Sequence, residues 1–123
     1  MRGLKFDIEV EYLELASYEA QKSTGQIQLI KDVQGDLAGK NILVVEDILD
    51  TGNTLKFLHK HLMSKNPKGI KYCVLLDNPV RRMEDCFAAD YVGFTIPNQF
   101  VVGYGLDYNE MYRNLPFIAS LIK

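Results

Sequence analysis

The chain has 123 residues, of which 47% are hydrophobic and 24% charged, with 14 Lys and Arg against 16 Asp and Glu. This length and composition predict one globular domain over residues 1–123 and exclude a disordered chain. The net charge of -2 argues against a nucleic-acid partner, and no apolar run is long enough to cross a membrane. Because the start lacks a signal-peptide core and there are only two cysteines, we expect a cytoplasmic location.

The first part of the chain predicts a hairpin followed by a buried strand. Residues 6–15 alternate apolar and acidic side chains, which is typical of a half-exposed strand, and residues 26–31 predict a second strand. The polar residues 17–25 between them predict a loop. The continuous apolar run at 41–45 is typical of a strand covered on both faces, as in a parallel sheet.

A helix and further strands follow, and their order predicts an α/β fold. Apolar side chains recur with helical spacing from Leu55 to Met63, and Thr54 can cap the start of this helix. Residues 70–76 predict another buried strand, so a strand–helix–strand crossover of right-handed sense is expected. The remaining segments are two short predicted strands and one that fits either a strand or a helix: 91–96, 100–102 and, undecided, 115–122.

The segment between the first buried strand and the helix carries the chemistry. Two adjacent carboxylates, Glu46 and Asp47, end the strand, and Asp50 follows in a loop of small residues. Ligands bind at the carboxyl ends of parallel strands, where carboxylates suit sugar hydroxyls or a hydrated Mg²⁺. The backbone N–H groups of residues 51–54 can converge on an anion, and Gly52 permits its close approach. A sugar phosphate fits both halves of this arrangement.

A plain turn with a helix cap would also use the Asp-Thr-Gly-Asn-Thr sequence of this loop. Such a turn does not explain two adjacent carboxylates at the end of an apolar strand. The whole segment therefore favours a functional site.

The motif at residues 44–54, Val-Val-Glu-Asp-Ile-Leu-Asp-Thr-Gly-Asn-Thr, resembles the phosphoribosyl pyrophosphate signature of type I phosphoribosyltransferases. The version here is most similar to that of hypoxanthine-guanine phosphoribosyltransferases. Residues 17–25 resemble the active-site lid of that family, and residues 100–110 with Arg113 resemble its purine-binding hood. The resemblance implies an α/β fold with a mainly parallel sheet, flanking helices and a small hood.

The resemblance also implies a reaction. In purine salvage, the 5-phosphoribosyl group of phosphoribosyl pyrophosphate passes to hypoxanthine or guanine, giving IMP or GMP and pyrophosphate, with Mg²⁺ on the pyrophosphate. Asp50 would act as general acid/base at the purine. The lid would exclude water, and family members associate as homo-oligomers. The other implied contacts are Glu46 and Asp47 to the ribose, Thr51, Gly52, Asn53 and Thr54 to the 5′-phosphate, Asn78, Phe100 and Val101 to the purine, Arg113 and Arg82 to the pyrophosphate, and Glu46, Asp47 and Asp107 to the metal.

Two departures from the family pattern bear on activity. The family places a helix, a strand with a Leu-Lys-Gly-like loop and another helix before the strand at 6–15, and nothing here matches them. We therefore expect an N-terminally truncated form, with an open sheet edge at 42–45 and weak or no activity of its own. Asn78 stands where the family usually has a Lys that donates to the purine O6, which predicts a weaker preference for 6-oxopurines.

Other interpretations of the same residues stay open at this stage. The acidic strand end also resembles a phosphoacceptor receiver domain, and Asn78 favours a non-catalytic, nucleotide-binding or regulatory module of the phosphoribosyltransferase type. Taken without the family, Phe100 is more typical of a core side chain and Asp107 of a turn or helix cap. Arg81 and Arg82 would ordinarily be solvated.

Overall fold

The computed structural model describes residues 1–17 and 26–122, which form seven strands, one α-helix and one short 3₁₀ turn. The elements are β1 (Glu14–Ser17), β2 (Ile27–Lys31), β3 (Asn41–Leu49), α1 (Asn53–Met63), β4 (Gly69–Asp77), the 3₁₀ turn (Pro79–Arg81), β5 (Tyr91–Thr95), β6 (Val101–Val102) and β7 (Ala119–Ser120). The strands make a parallel sheet in the order β3-β4-β5 and two antiparallel pairs, β1-β2 and β6-β7.

The parallel sheet confirms the predicted strand–helix–strand unit. β3 pairs with β4 in a register that runs from Asn41 opposite Gly69 to Leu49 opposite Asp77. β5 pairs with the other edge of β4. Since all three strands run in the same direction, their carboxyl ends meet at one edge of the sheet, where ligands bind in open α/β folds.

The prediction that β3 is covered on both faces is wrong. Its side chains alternate between half-buried and exposed, with Ile42 and Val44 packed against the core and Leu43 and Val45 exposed at 48% and 71%. Helix α1 and its neighbours cover one face only, and no described element covers the other. The expected open edge is present, because β3 has β4 as its only partner strand among the described residues.

Helix α1 forms because its apolar side chains recur on one face. Leu55, Leu58 and Leu62 are each less than 5% exposed and make the core with β3 and β4. Met63 was expected on that face but is 48% exposed, since the helix ends there. Thr54 is not the cap: the helix begins one residue earlier, after Gly52.

The predicted strand at 6–15 is mostly wrong. Only its end is in β1, which pairs with β2 from Glu14 opposite Lys31 to Ser17 opposite Ile27. Residues 6–13 have no described strand to pair with, and Phe6 and Tyr12 are both 68% exposed. Alternation of apolar and acidic residues is therefore not enough to make a strand where no partner lies beside it. The predicted lid at 17–25 lies outside the described residues, apart from the backbone of Ser17.

The undecided segment at the end of the chain contains a short strand. β7 pairs antiparallel with β6, with Val101 opposite Ser120 and Val102 opposite Ala119. The loop between these strands turns through bridges at Gly103–Leu106 and Tyr108–Met111. Within the described ranges, no helix has both the length and the apolarity that crossing a bilayer requires.

Candidate active site

The candidate site lies where β3 and β4 end. Leu49 and Asp77 are opposite each other in the register, so the loops that follow the two strands start side by side. The main chain ties them together, because Asn78 N–H donates to the Leu49 carbonyl at 2.9 Å. The residues after β3 that the sequence singled out therefore lie next to residues 78–86. Within that second segment, only Asn78 and Arg82 were predicted to contact a ligand.

The loop at 51–54 has the backbone of an anion cradle. Gly52 adopts φ +89° and ψ 0°, a left-handed conformation that favours glycine, and α1 starts at the next residue. The Thr51 hydroxyl accepts a hydrogen bond from Asn53 N–H at 3.3 Å, and the Gly52 carbonyl accepts from Lys56 N–H at 2.9 Å. The first N–H groups of a helix lack partners within it, so this end attracts anions.

Residues 82–86, which follow the 3₁₀ turn after β4, contact this loop and support it. A side chain at Gly52 would meet the Cys86 sulfur at 2.2 Å, so glycine is required there for packing as well as for conformation. Met83 N–H donates to the Thr51 carbonyl at 2.9 Å. The Arg82 guanidinium pairs with Asp77 and donates to the Asp50 main-chain carbonyl at 3.1 Å. Arg82 is thus engaged in the protein rather than directed to a ligand.

The two carboxylates of β3 lie on opposite faces of the strand, as consecutive strand residues must. Glu46 is half-buried on the face toward the core, and burial, together with the neighbouring Asp47 charge, raises the pKa of its carboxyl. Asp47 is exposed on the other face, where its Oδ1 accepts a hydrogen bond from Ile48 N–H at 2.7 Å. One carboxylate therefore lies on each face of β3 near its end, and the pair does not present two carboxylates on the same face.

Asp50 is the carboxylate closest to the loop in sequence, and it is held by an arginine. Arg81 Nη1 donates to Asp50 Oδ2 at 2.7 Å, while Asp50 Oδ1 is buried without a hydrogen-bond partner among the described residues. From the sequence, Arg81 was expected only to be solvated. Its position just after β4, whose end adjoins that of β3, was the signal available.

Asn78 lies in the wall of the site and is only 3% exposed. Its side-chain amide donates to Asn98 Oδ1 at 3.3 Å, and its own Oδ1 has no partner within the described part of the chain. An amide at this position therefore makes a neutral contact with the segment that leads to β6. A buried side chain this short presents no charged donor to a ligand.

The other residues predicted to bind the purine, pyrophosphate and metal lie at β6 and in the loop after it. Phe100 is 47% exposed with its ring edge-on to Tyr108 at 5.7 Å, so its interpretation as a core side chain is wrong. Val101 is half-buried in β6. Asp107 and Arg113 face each other at 3.4 Å.

Asp107 also behaves as the structural alternative predicted. Its Oδ2 accepts a hydrogen bond from Glu110 N–H at 2.9 Å, which is the contact of a turn or cap residue. The Arg113 guanidinium donates to the Gly105 carbonyl at 2.9 Å. Both side chains therefore have protein partners, and about half of Arg113 remains exposed.

The three carboxylates expected to hold Mg²⁺ lie in two different parts of the structure, β3 and the loop after β6. Across residues 1–17 and 26–122, no three His, Cys, Asp or Glu side chains converge as a metal site, so Glu46, Asp47 and Asp107 do not form one cluster. Mg²⁺ is commonly held by only one or two carboxylates together with substrate phosphates and water. The exposed carboxylate of Asp47 fits a site of that kind. The described residues do not provide a site made wholly of protein ligands.

An open apolar cleft is also present among the described residues. It is bounded by the ends of β4 and β5 and by the loop between β6 and β7, with Leu76, Phe94, Tyr104 and Phe117 among its walls. None of the predicted site residues lines it. Its walls are almost wholly apolar, with Tyr104 the one described lining residue that carries a side-chain hydroxyl.

Comparison with known proteins agrees with this geometry. The model of the phosphoribosyl transferase domain family matches residues 2–109. Among curated proteins, the chain is 51% identical over 108 residues to a hypoxanthine-guanine phosphoribosyltransferase of Aquifex aeolicus, covering 87% of this chain and 60% of that protein. It is 45% identical over 115 residues to the enzyme of that name from Staphylococcus aureus, covering 93% of this chain and 64% of the relative.

Solved structures show the same similarity in three dimensions. A hypoxanthine-guanine phosphoribosyltransferase from Bacillus anthracis superposes with a TM-score of 0.90 at 49% identity, covering 98% of this chain and 71% of that one. A hypoxanthine phosphoribosyltransferase from Trypanosoma cruzi, bound to the product IMP, superposes with a TM-score of 0.86 at 39% identity, covering 96% and 59%. The chain thus spans about 60–64% of the length of the curated relatives described above.

Proposed function

Because the chain belongs to the phosphoribosyl transferase family, we propose that its protein transfers the 5-phosphoribosyl group of phosphoribosyl pyrophosphate to hypoxanthine or guanine. The products would be IMP or GMP and pyrophosphate, a reaction of purine salvage. The family and the fold predicted from residues 44–54 are confirmed, and the receiver-domain alternative is wrong. Relatives at 45–51% identity that carry the hypoxanthine-guanine name support the choice of substrates.

The observation that carries the proposal is the loop between β3 and α1. Gly52 with φ +89° turns the chain so that α1 begins at Asn53, shortly after β3 ends at Leu49, and Glu46 and Asp47 lie near that end of β3. An anion-binding helix start and groups suited to sugar hydroxyls therefore lie within a few residues of each other. A ribose that carries a 5′-phosphate needs both, and residues 51–54 would take its phosphate.

The chain's own residues account for the chemistry of transfer. As the glycosidic bond to the purine forms, the bond to pyrophosphate breaks and its electron pair leaves with the pyrophosphate. Positive charge that develops on the ribose would be stabilised by Glu46 and Asp47. Asp50 would take the proton that the purine releases, and Phe100, half exposed beside β6, would stack on the purine ring next to the Val101 backbone.

Mg²⁺, when bound with the substrate, would neutralise charge on the departing pyrophosphate. Asp47 is the carboxylate best exposed to hold it, with substrate oxygens as the other ligands. Glu46 faces the other side of β3, and Asp107 is paired with Arg113, so each would have to reorient to join. Arg113 would meet the pyrophosphate through its exposed half.

A second candidate function has one observation in its favour. Asn78 is buried, uncharged and bonded to Asn98, where a charged donor to the purine O6 was expected. A protein that binds nucleotide without efficient transfer would tolerate this change. The candidate is a non-catalytic, nucleotide-binding or regulatory module built on the same fold.

The experiment is a direct assay of the purified protein with phosphoribosyl pyrophosphate, Mg²⁺ and one purine base at a time. Formation of IMP or GMP, measured by chromatography, would support the enzyme, and nucleotide binding by calorimetry without product would support the module. The Thr51→Val variant should weaken phosphoribosyl pyrophosphate binding, whereas Thr95→Val at the end of β5 serves as the matched control. Neither product nor binding would overturn both candidates.

A cytoplasmic location and a homo-oligomeric state belong to this proposal as well. Support for self-association comes from the sheet, where β3 has an open edge and the side chains of Val45 and Phe94 are exposed at 71% and 64%. Exposed apolar surface of this kind is typical of a protein interface. Sedimentation of the purified protein would measure the oligomeric state.

A further inference from the structure

Two consecutive arginines, Arg81 and Arg82, both reach the residue that follows β3, but they contact different parts of it. Arg82 Nε donates to the main-chain carbonyl of Asp50 at 3.1 Å, and its guanidinium is 14% exposed beside Asp77. Arg81 instead contacts the Asp50 side chain, with Nη1 2.7 Å from Oδ2. The first arginine therefore acts on the carboxylate and the second on the backbone that carries it.

The two oxygens of the Asp50 carboxylate lie in different environments. Oδ2 is held by Arg81, whereas Oδ1 is buried and has no hydrogen-bond partner among the described residues. A buried oxygen without a donor is unfavourable, which favours any rotation of the side chain that gives Oδ1 a partner. The Arg81 contact opposes this rotation, because turning the carboxylate would break a charge-assisted hydrogen bond.

A purely structural interpretation exists and makes a different prediction. Arg81 is 54% exposed and Asp50 35% exposed, and ion pairs between such side chains usually contribute little to stability. If the Arg81–Asp50 contact were only an exposed ion pair of this kind, its loss would leave the rate of the reaction unchanged. The identity of its partner argues otherwise, since Asp50 is the proposed acid/base group and its orientation decides which oxygen meets the purine.

We propose that Arg81 is a positioning residue for the transfer reaction, which holds the Asp50 carboxylate with Oδ2 turned toward the bound purine. This inference rests on the proposed function. Oδ2 has a second lone pair beyond the one that Arg81 uses, and that lone pair accepts the proton of the purine ring nitrogen as the new bond to the ribose forms. The guanidinium itself touches neither the purine nor the ribose in this role.

The test compares Arg81→Gln, Arg81→Lys and Asp50→Asn, alone and combined, in the purified protein. We expect Arg81→Gln to lower kcat by about 10-fold or more, within the range that acid–base catalysis contributes, with a change of less than about 2-fold in the KM for phosphoribosyl pyrophosphate. Arg81→Lys should restore part of kcat, because a single charged donor still reaches Oδ2. In the Asp50→Asn background, Arg81→Gln should have no further effect.

The matched control is Lys40→Gln, which removes an exposed ion pair with Glu9 of 3.1 Å far from the site and should leave kcat unchanged. Equal kcat for Arg81→Gln and the parent, or a loss that adds fully to that of Asp50→Asn, would overturn the proposal. If the parent protein transfers no phosphoribosyl group, the proposed function fails. Crystal structures of the parent and of Arg81→Gln then test separately whether Arg81 sets the orientation of Asp50. In those structures, Asp50 must keep its orientation in the parent and rotate in Arg81→Gln; an unrotated carboxylate would refute the positioning role.

Discussion

The substitution Gly52→Ala tests whether the loop between β3 and α1 is built as described. It adds one methyl group at a residue with φ +89°, where L side chains are strained, and that methyl would lie 2.2 Å from the Cys86 sulfur and 2.9 Å from the Cys86 Cβ. The Arg82 Cδ is a third neighbour at 3.3 Å. The substitution therefore has a conformational and a packing penalty at the same place.

The two penalties can be given magnitudes. A non-glycine residue in the left-handed region costs about 1–2 kcal/mol. Forcing a methyl group into a filled site costs about 1–3 kcal/mol, because neighbours must move. We therefore expect Gly52→Ala to lower the free energy of unfolding by about 2–5 kcal/mol, a large part of the roughly 5–15 kcal/mol that stabilises a typical domain.

The assay is urea unfolding followed by circular dichroism, with Gly39→Ala as the matched control. Gly39 also has a positive φ, +72°, but nothing lies within 4 Å of the added methyl, so this control has the conformational penalty alone. The excess loss in Gly52→Ala over Gly39→Ala then measures packing against Cys86. Adding Cys86→Gly to Gly52→Ala should recover part of that excess as a favourable coupling energy.

Two results would refute the reasoning. Equal losses for Gly52→Ala and Gly39→Ala would mean that Cys86 does not support the loop. A coupling energy of zero between Gly52→Ala and Cys86→Gly would mean the same by an independent route. Calorimetric titration with phosphoribosyl pyrophosphate adds a functional readout, in which Gly52→Ala weakens binding much more than Gly39→Ala.

Three further predictions concern charges and the purine contact. Asp32 Oδ1 lies 2.9 Å from His61 Nε2, and this hydrogen bond, ahead of the one from Lys65, lowers the pKa of Asp32 from 3.8 to about 2. A carboxyl pKa that is lower in the folded state stabilises the fold above about pH 4, and the benefit is lost as the pH falls through about 2. Asp32→Asn should therefore cost about 1 kcal/mol at pH 7 after solvent screening and only a small part of that near pH 2, as measured by urea unfolding at each pH. Arg82→Gln leaves the nearly buried Asp77 carboxylate unpaired and should cost about 3 kcal/mol in the same assay. Asn78→Lys should lower the KM for hypoxanthine in the transfer assay, because a charged donor then faces the purine O6.

Each of these has a contradicting outcome. A stability difference between Asp32→Asn and the parent that stays constant from pH 7 to 2 would show that the ionised carboxylate is not what stabilises the fold. Arg82→Gln as stable as the exposed control Lys40→Gln would show that the Arg82 contacts contribute nothing. An unchanged KM for hypoxanthine in Asn78→Lys would remove position 78 from purine recognition.

Much of the parallel sheet could be predicted because its signals are local. The apolar runs near 41–45 and 70–76 and the spacing of Leu55 to Leu62 predicted β3, β4 and α1 to within a few residues at most boundaries. The same reasoning failed over residues 6–13, where alternation was correct as a pattern but none of the described strands pairs with them. Strand pairing depends on two segments of the chain, so the pattern of one segment alone does not predict it.

The sequence by itself indicated the family, through the resemblance of residues 44–54 to a known signature. It also predicted the β3–α1–β4 order and the loop at 51–54, because short-range periodicity and a glycine between small polar residues dictate local backbone. Only the tertiary structure decided that Glu46 lies on the half-buried face of β3 while Asp47 is exposed, and that Arg81 reaches Asp50 from 31 positions away. Contacts of that kind depend on the register of β3 against β4 and on what covers each face of the sheet, and neither is encoded within a single stretch of chain.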